Sequence, residues 1–106
     1  MTPSFVFQSD ATDRSESLYR PKPSDVFKRR CLSKTDKKHP EIAELMGISA
    51  KHFSRFINGH VRVSIEFARK LESVTNISAG AWLHYQMQYD LYETADDVLP
   101  KRSMFG

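Results

Sequence analysis

The sequence predicts an all-α fold of five short helices, carrying an extended N-terminal arm and a short C-terminal tail. Three observations lead there. From Ser24 to Tyr92 the apolar residues recur at spacings of three and four, and no convincing stretch alternates with period two. Good N-caps and helix stops fall between the periodic segments. The flanks, by contrast, are polar and rich in Ser, Thr, Asp and Pro. These boundaries divide the chain into an arm at 1–23, a helical domain at 24–92 and a polar tail at 93–106.

The arm buries too little apolar surface to offset its ordering entropy. Its adhesive points are Phe5, Val6, Phe7, Leu18 and Tyr19, read as a partner-binding segment or as docking onto the arm's own domain. Ser24 is the expected cap of the first helix, with Val26, Phe27 and Cys31 facing inward. A polar, basic connection runs from Ser33 to Lys38. Pro40 suits the first turn of a second helix, because its missing N–H would have no partner there anyway. Ile42, Ala43, Leu45 and Met46 give that helix its apolar face, and Gly47 stops it. Ser49 caps a third helix with Phe53, Phe56 and Ile57 inward, ended by Asn58-Gly59. Ser64 caps a fourth, with Phe67, Ala68, Leu71 and Val74 inward, ended at Asn76. Ser78 caps a fifth, from Ala79 to Tyr92.

Composition narrows the function. In 106 residues, 40% apolar and 27% charged, there is room for one small core. No apolar run is long enough for a membrane helix, and the opening Met1-Thr2-Pro3-Ser4 lacks the pattern of a secretory leader. The single cysteine, Cys31, cannot form an internal disulfide. A cytoplasmic protein is expected. His39, His52, His60 and His84 lack zinc-ligand spacing, and no nucleotide or protease motif is present, so neither enzyme activity nor a cofactor is expected.

Net charge is +3, unevenly placed. From Arg20 to Arg62 there are eleven Lys or Arg against four acids, a net of +7; from Val63 onward the balance is −2. A basic middle points to a polyanion, or to no more than a lysine-rich solvated surface.

The stretch His39–Asn58, HPEIAELMGISAKHFSRFIN, favours the polyanion. Two short helices packed steeply across a tight turn need a small residue at the crossing, supplied by Ala43. They need a residue tolerant of positive φ in the turn, supplied by Gly47. They need a shared apolar interior, supplied by Ile42, Met46, Ile48, Phe53 and Phe56. These requirements define a helix-turn-helix; the bland alternative is a helical hairpin with no nucleic-acid role. The outward face of the second helix would hold Ala50, Lys51, His52, Ser54 and Arg55, with no acid. In the major groove Arg55 could pair with guanine, Lys51 with guanine or phosphate, and Ala50 with a thymine methyl. Lys37, Lys38, His39, Ser49 and Asn58 stand at helix ends and loops suited to phosphate contact.

The fifth helix is apolar on two sides. Trp82, Tyr85, Tyr89 and Tyr92 form one stripe, and Leu83, Met87 and Leu91 another. One side can cover the core and the other a second copy, or the tail. Trp82, Tyr85, Gln86 and Tyr89 are the candidate dimer contacts.

Several of these blocks resemble one family. Pro23-Ser24-Asp25-Val26-Phe27, Ile42-Ala43-Glu44-Leu45-Met46-Gly47-Ile48, Phe56-Ile57-Asn58-Gly59, Ala68-Arg69-Lys70-Leu71 and Ser78-Ala79-Gly80-Ala81-Trp82-Leu83 with Gln86 and Tyr89-Asp90-Leu91 are similar to segments of the HigA-type antitoxins. These are a branch of the XRE-like helix-turn-helix family of phage-repressor fold. The resemblance spans residues 22–92. It implies a homodimer that binds a palindromic operator in double-stranded DNA, represses its own operon and neutralises a small ribonuclease-type toxin. The alternatives are a free-standing, phage-like repressor and an interaction module whose helix-turn-helix no longer binds DNA.

Overall fold

The computed structural model describes residues 20–97 and 99–105. Its helices are α1 (Pro23–Arg30), α2 (His39–Met46), α3 (Ala50–Ile57), α4 (Ile65–Thr75) and α5 (Ala79–Glu93), with one 3₁₀ turn at Leu32–Lys34. The described residues contain no strand, and the five-helix, all-α expectation holds. No helix among them is long and apolar enough to cross a membrane.

The helix boundaries follow local chemistry. Ser49, Ser64 and Ser78 each accept a hydrogen bond from the backbone N–H three residues on, at 3.0, 3.1 and 3.0 Å, closing α3, α4 and α5 at their starts. At the start of α2 the Glu41 carboxylate accepts the Lys38 N–H at 2.8 Å, and Pro40 sits in the first turn. Gly47, at φ 74°, ends α2 in a Schellman arrangement: its N–H goes to the Glu44 carbonyl and that of Ile48 to Ala43. Gly59, at φ 81°, ends α3 the same way, with His60 reaching back to Arg55. Asn76, at φ 63°, stops α4.

The core is an aromatic cluster fed by every helix. Phe27 of α1 sits edge-on to Phe53 and Phe56 of α3, with ring centres 5.8 and 5.5 Å apart. It also meets Trp82 of α5 at 6.3 Å, while Phe56 meets Phe67 of α4 at 5.0 Å. Ile42, Ala43 and Met46 close the cluster from α2. Such pairs add about 0.5–1.5 kcal/mol each beyond simple burial.

Three expectations are corrected. Ser24 does not cap α1: Pro23 occupies the first turn, the cap position falls to Lys22, and Ser24 is buried inside the helix. A proline's fixed φ starts the helix two residues early. Leu45 is 58% exposed, because Ile42, Ala43 and Met46 already fill the inward face of α2. Ile57 is half-buried at the edge of the core, and α3 inserts only Phe53 and Phe56 fully. The basic connection after α1 also holds more structure than expected: the Leu32–Lys34 turn docks Cys31 and Leu32 against the core.

Candidate nucleic-acid interface

The α2–α3 unit has the requirements of a helix-turn-helix in place. Ala43 is buried, and Gly47 takes the left-handed conformation. Phe53 and Phe56 are completely buried, which fixes the rotation of α3 about its axis. The opposite face must then look outward. Lys37, Lys38, His39, Ser49, Ala50, Lys51, His52, Ser54, Arg55 and Asn58 are all exposed. The ten positions picked from the sequence thus stand on the ends, turn and outer face of one rigid two-helix unit.

Local contacts restrict some of these residues. Ser49 has its hydroxyl committed to the α3 cap. The His39 ring lies edge-on to Phe53 at 5.3 Å, and the His52 ring lies against Phe67 of α4 at 5.3 Å with a 30° tilt. Both imidazoles are backed by core aromatics, with their outer edges left to solvent. Arg55 makes one long contact, Nη2 to the His60 carbonyl at 3.5 Å. Lys51 has no ion-pair partner among the described residues. Two cations, a hydroxyl and an imidazole edge on an acid-free helix match the donor-rich requirements of a phosphate-lined groove.

The loop after α3 holds residues that sequence reasoning missed. Val63 is buried, and its N–H donates to Gln86 Oε1 of α5 at 2.9 Å. Gln86 Nε2 donates to Asp90 Oδ1 at 3.0 Å, and Asp90 Oδ2 pairs with Arg62 at 2.8 Å. The Arg62 guanidinium holds the Asp90 carboxyl below the usual carboxylate range; Gln86 adds to this and partial burial works against it. Lys22 packs over Gly59, where a Cβ would lie 3.1 Å from its Nζ, and its ammonium stands 5.7 Å from the Tyr89 ring centre. The end of α3 is therefore gripped from both α1 and α5. Polarity gave a signal at Gln86, a lone amide in an otherwise apolar helix stripe.

The four expected dimer contacts are engaged inside the protomer. Trp82 is completely buried and donates to Thr75 Oγ1 at 3.3 Å. Gln86 is buried by the contacts above. The Tyr85 hydroxyl accepts from Arg30 at 2.9 Å, and its ring is edge-on to Trp82. Tyr89 is half-buried beneath Lys22. The other stripe faces out: Met87 and Leu91 are exposed and Leu83 half-buried. Phe5, Val6, Phe7, Leu18 and Tyr19 lie outside the described residues. At the described end of the arm, Arg20 donates to Gln88 of α5 at 3.3 Å. No group of His, Cys, Asp and Glu among the described residues is arranged to hold a metal ion.

Comparisons with known proteins agree with this architecture. No family model matches the chain. It is 29% identical over 76 residues to the uncharacterised helix-turn-helix-type transcriptional regulator YbaQ of Escherichia coli strain K12, covering 72% of this chain and 67% of the relative. A crystal structure of a hypothetical protein from E. coli superposes with TM-score 0.71 at 25% identity, covering 81% of this chain and 94% of that one. A proposed antidote protein of a plasmid maintenance system from Nostoc punctiforme superposes with TM-score 0.67 at 23% identity, covering 74% and 86%. The chain is a distant homologue of a helix-turn-helix-type transcriptional regulator and shares the fold of the antidote protein.

Proposed function

We propose that this chain is a sequence-specific DNA-binding regulator of the antitoxin type. In this reading it binds its operator as a homodimer, represses its own operon and neutralises a small ribonuclease-type toxin. The observation that carries the reading is the acid-free outer face of α3. Lys51, Ser54 and Arg55 stand there on a helix whose rotation is fixed by Phe53 and Phe56. The regulator named among the relatives and the antidote protein among the structural neighbours support it.

Each part has a role under this proposal. Arg55 and Lys51 read base edges in the major groove, and Ala50 meets a thymine methyl. Lys37, Lys38, His39, Ser49 and Asn58 set the register on phosphates. The second copy packs on the outer stripe of α5, and the arm residues Phe5, Val6, Phe7, Leu18 and Tyr19 engage the toxin.

Selection from a randomised duplex pool tests the DNA-binding core of the proposal. The expected product is an inverted repeat with half-sites about one helical turn, roughly 34 Å, apart. Its binding should weaken steeply between 50 and 200 mM salt, as counterion release requires. Failure to enrich any sequence contradicts the reading. A second reading, a free-standing regulator without a toxin, is favoured by the description of the E. coli relative as a transcriptional regulator. Co-expression with the adjacent open reading frame separates the two: neutralisation of a growth-arresting product supports the antitoxin.

A further inference from the structure

Two sets of apolar side chains have no cover within the protomer. One is the outer stripe of α5, where Met87 and Leu91 are 49% and 59% exposed and continue the half-buried Leu83. This stripe lines an open groove with Val63, Gln86, Thr94 and the Arg62–Asp90 ion pair. The other set is in the tail after α5, where Leu99, Met104 and Phe105 are 80–89% exposed. Large apolar side chains left exposed together on one helix face, as Met87 and Leu91 are, mark an interaction surface.

The two sets also match in charge. Helix α5 has no basic residue in its last turn, so the negative end of its dipole stands uncompensated. Glu93 and Asp97 lie there, exposed and without an ion-pair partner among the described residues. From Leu99 onward the charged residues of the tail are Lys101 and Arg102, exposed likewise.

The order of the groups fits one binding direction. Backward along α5 come Glu93, then Leu91, Met87 and Leu83. Forward along the tail come Lys101 and Arg102, then Met104 and Phe105. Glu93 and Met87 are separated along the axis by about 9 Å at 1.5 Å per helical residue. Two to four extended residues cover roughly 7–13 Å. A tail entering at the acidic end and running toward Leu83 spans this axial distance, with its basic side chains reaching round the helix end to Glu93, which stands about 120° round the axis from the stripe. The chain's own tail does not make this contact, since stripe and tail are exposed together in one protomer.

We infer that the occupant of the α5 stripe is the tail of a second copy, exchanged reciprocally between two chains whose α5 helices meet at their C-terminal ends. Lys101 and Arg102 cap the partner's acidic helix end, and Met104 and Phe105 cover its Met87 and Leu91. This rests on the homodimer reading and adds the segment that clasps it.

A charge exchange tests the inference. One variant carries Lys101→Glu and Arg102→Glu; the other carries Glu93→Lys and Asp97→Lys. Each alone sets like charges across both clasps, while a mixture restores both. Sedimentation and native mass spectrometry on full-length chains are expected to find the parent at twice its 12.2 kDa mass. Each variant should dimerise more weakly by roughly tenfold or more, and the mixture should form the heterodimer preferentially. Deleting residues 99–106, which removes only exposed described side chains, should weaken the dimer to a similar extent. A parent dimer indifferent to the deletion, or variants that gain nothing on mixing, overturns the clasp and leaves the homodimer standing. A parent that stays at 12.2 kDa at tens of micromolar overturns both.

Discussion

Gln86 of α5 accepts the backbone N–H of Val63 at 2.9 Å in a buried setting, joining the last helix to the loop that leaves α3. The same side chain donates to Asp90, which holds Arg62 of that loop. One amide thus satisfies a buried backbone donor and orients a carboxylate. The loop cannot move without breaking a hydrogen bond in the core, so α3 is presented on a fixed support.

Gln86→Leu should therefore destabilise the fold by about 1–3 kcal/mol, the cost of leaving the Val63 N–H buried and unpaired. Urea unfolding measures this. Arg62 is largely exposed, so Arg62→Ala should cost less than about 1 kcal/mol at neutral pH. Its effect has a definite pH sign. The Asp90 pKa is lowered on folding, so the pairing contributes above the ordinary carboxylate range and is lost as pH falls through the depressed folded value. Parent and Arg62→Ala curves should converge in acid.

Two glycines should respond oppositely to alanine. Gly47 sits at φ 74°, where a Cβ costs roughly 1–2 kcal/mol. Gly80 lies in the first turn of α5, where a Cβ meets nothing nearer than Ser78 Oγ at 3.9 Å. Gly80→Ala should raise stability by about 0.5–1 kcal/mol. Thermal melts of the two variants check the signs.

Cys31 should be a slow nucleophile. Burial pushes its thiol up, only partly opposed by Arg30 and Lys34, so little thiolate forms near neutrality. Alkylation by iodoacetamide at pH 8 should run slower in the native protein than in urea. Equal rates would mean that the thiol is neither shielded nor shifted.

The fold was legible where periodicity, caps and stops agreed. Ser49, Ser64 and Ser78 cap as their positions suggest, and Gly47 and Asn76 end helices as left-handed residues. The outer face of α3 was legible because two phenylalanines three apart leave no choice of rotation. Legibility failed where two answers fit one pattern. Helix α5 is apolar on both sides, and only the space beside Phe27 decides that Trp82 goes inward. Gln86 was grouped with the candidate dimer contacts, whereas its burial depends on a backbone donor contributed by Val63, 23 residues away in sequence. Leu45 shows the same limit in reverse: its type suggests core, and the full inward face of α2 leaves it outside.

The central claim, that the outer face of α3 reads DNA, is tested most directly by comparing Arg55→Ala and Lys38→Ala on the enriched duplex and on a scrambled one. Fluorescence anisotropy across a salt series provides the measurement. Arg55→Ala should weaken the enriched site by about 1–3 kcal/mol and relax the preference at one base position. Lys38→Ala should weaken both duplexes alike and reduce the salt slope by roughly one unit. If both variants bind both duplexes as the parent does, the α3 face does not read DNA and the account is contradicted.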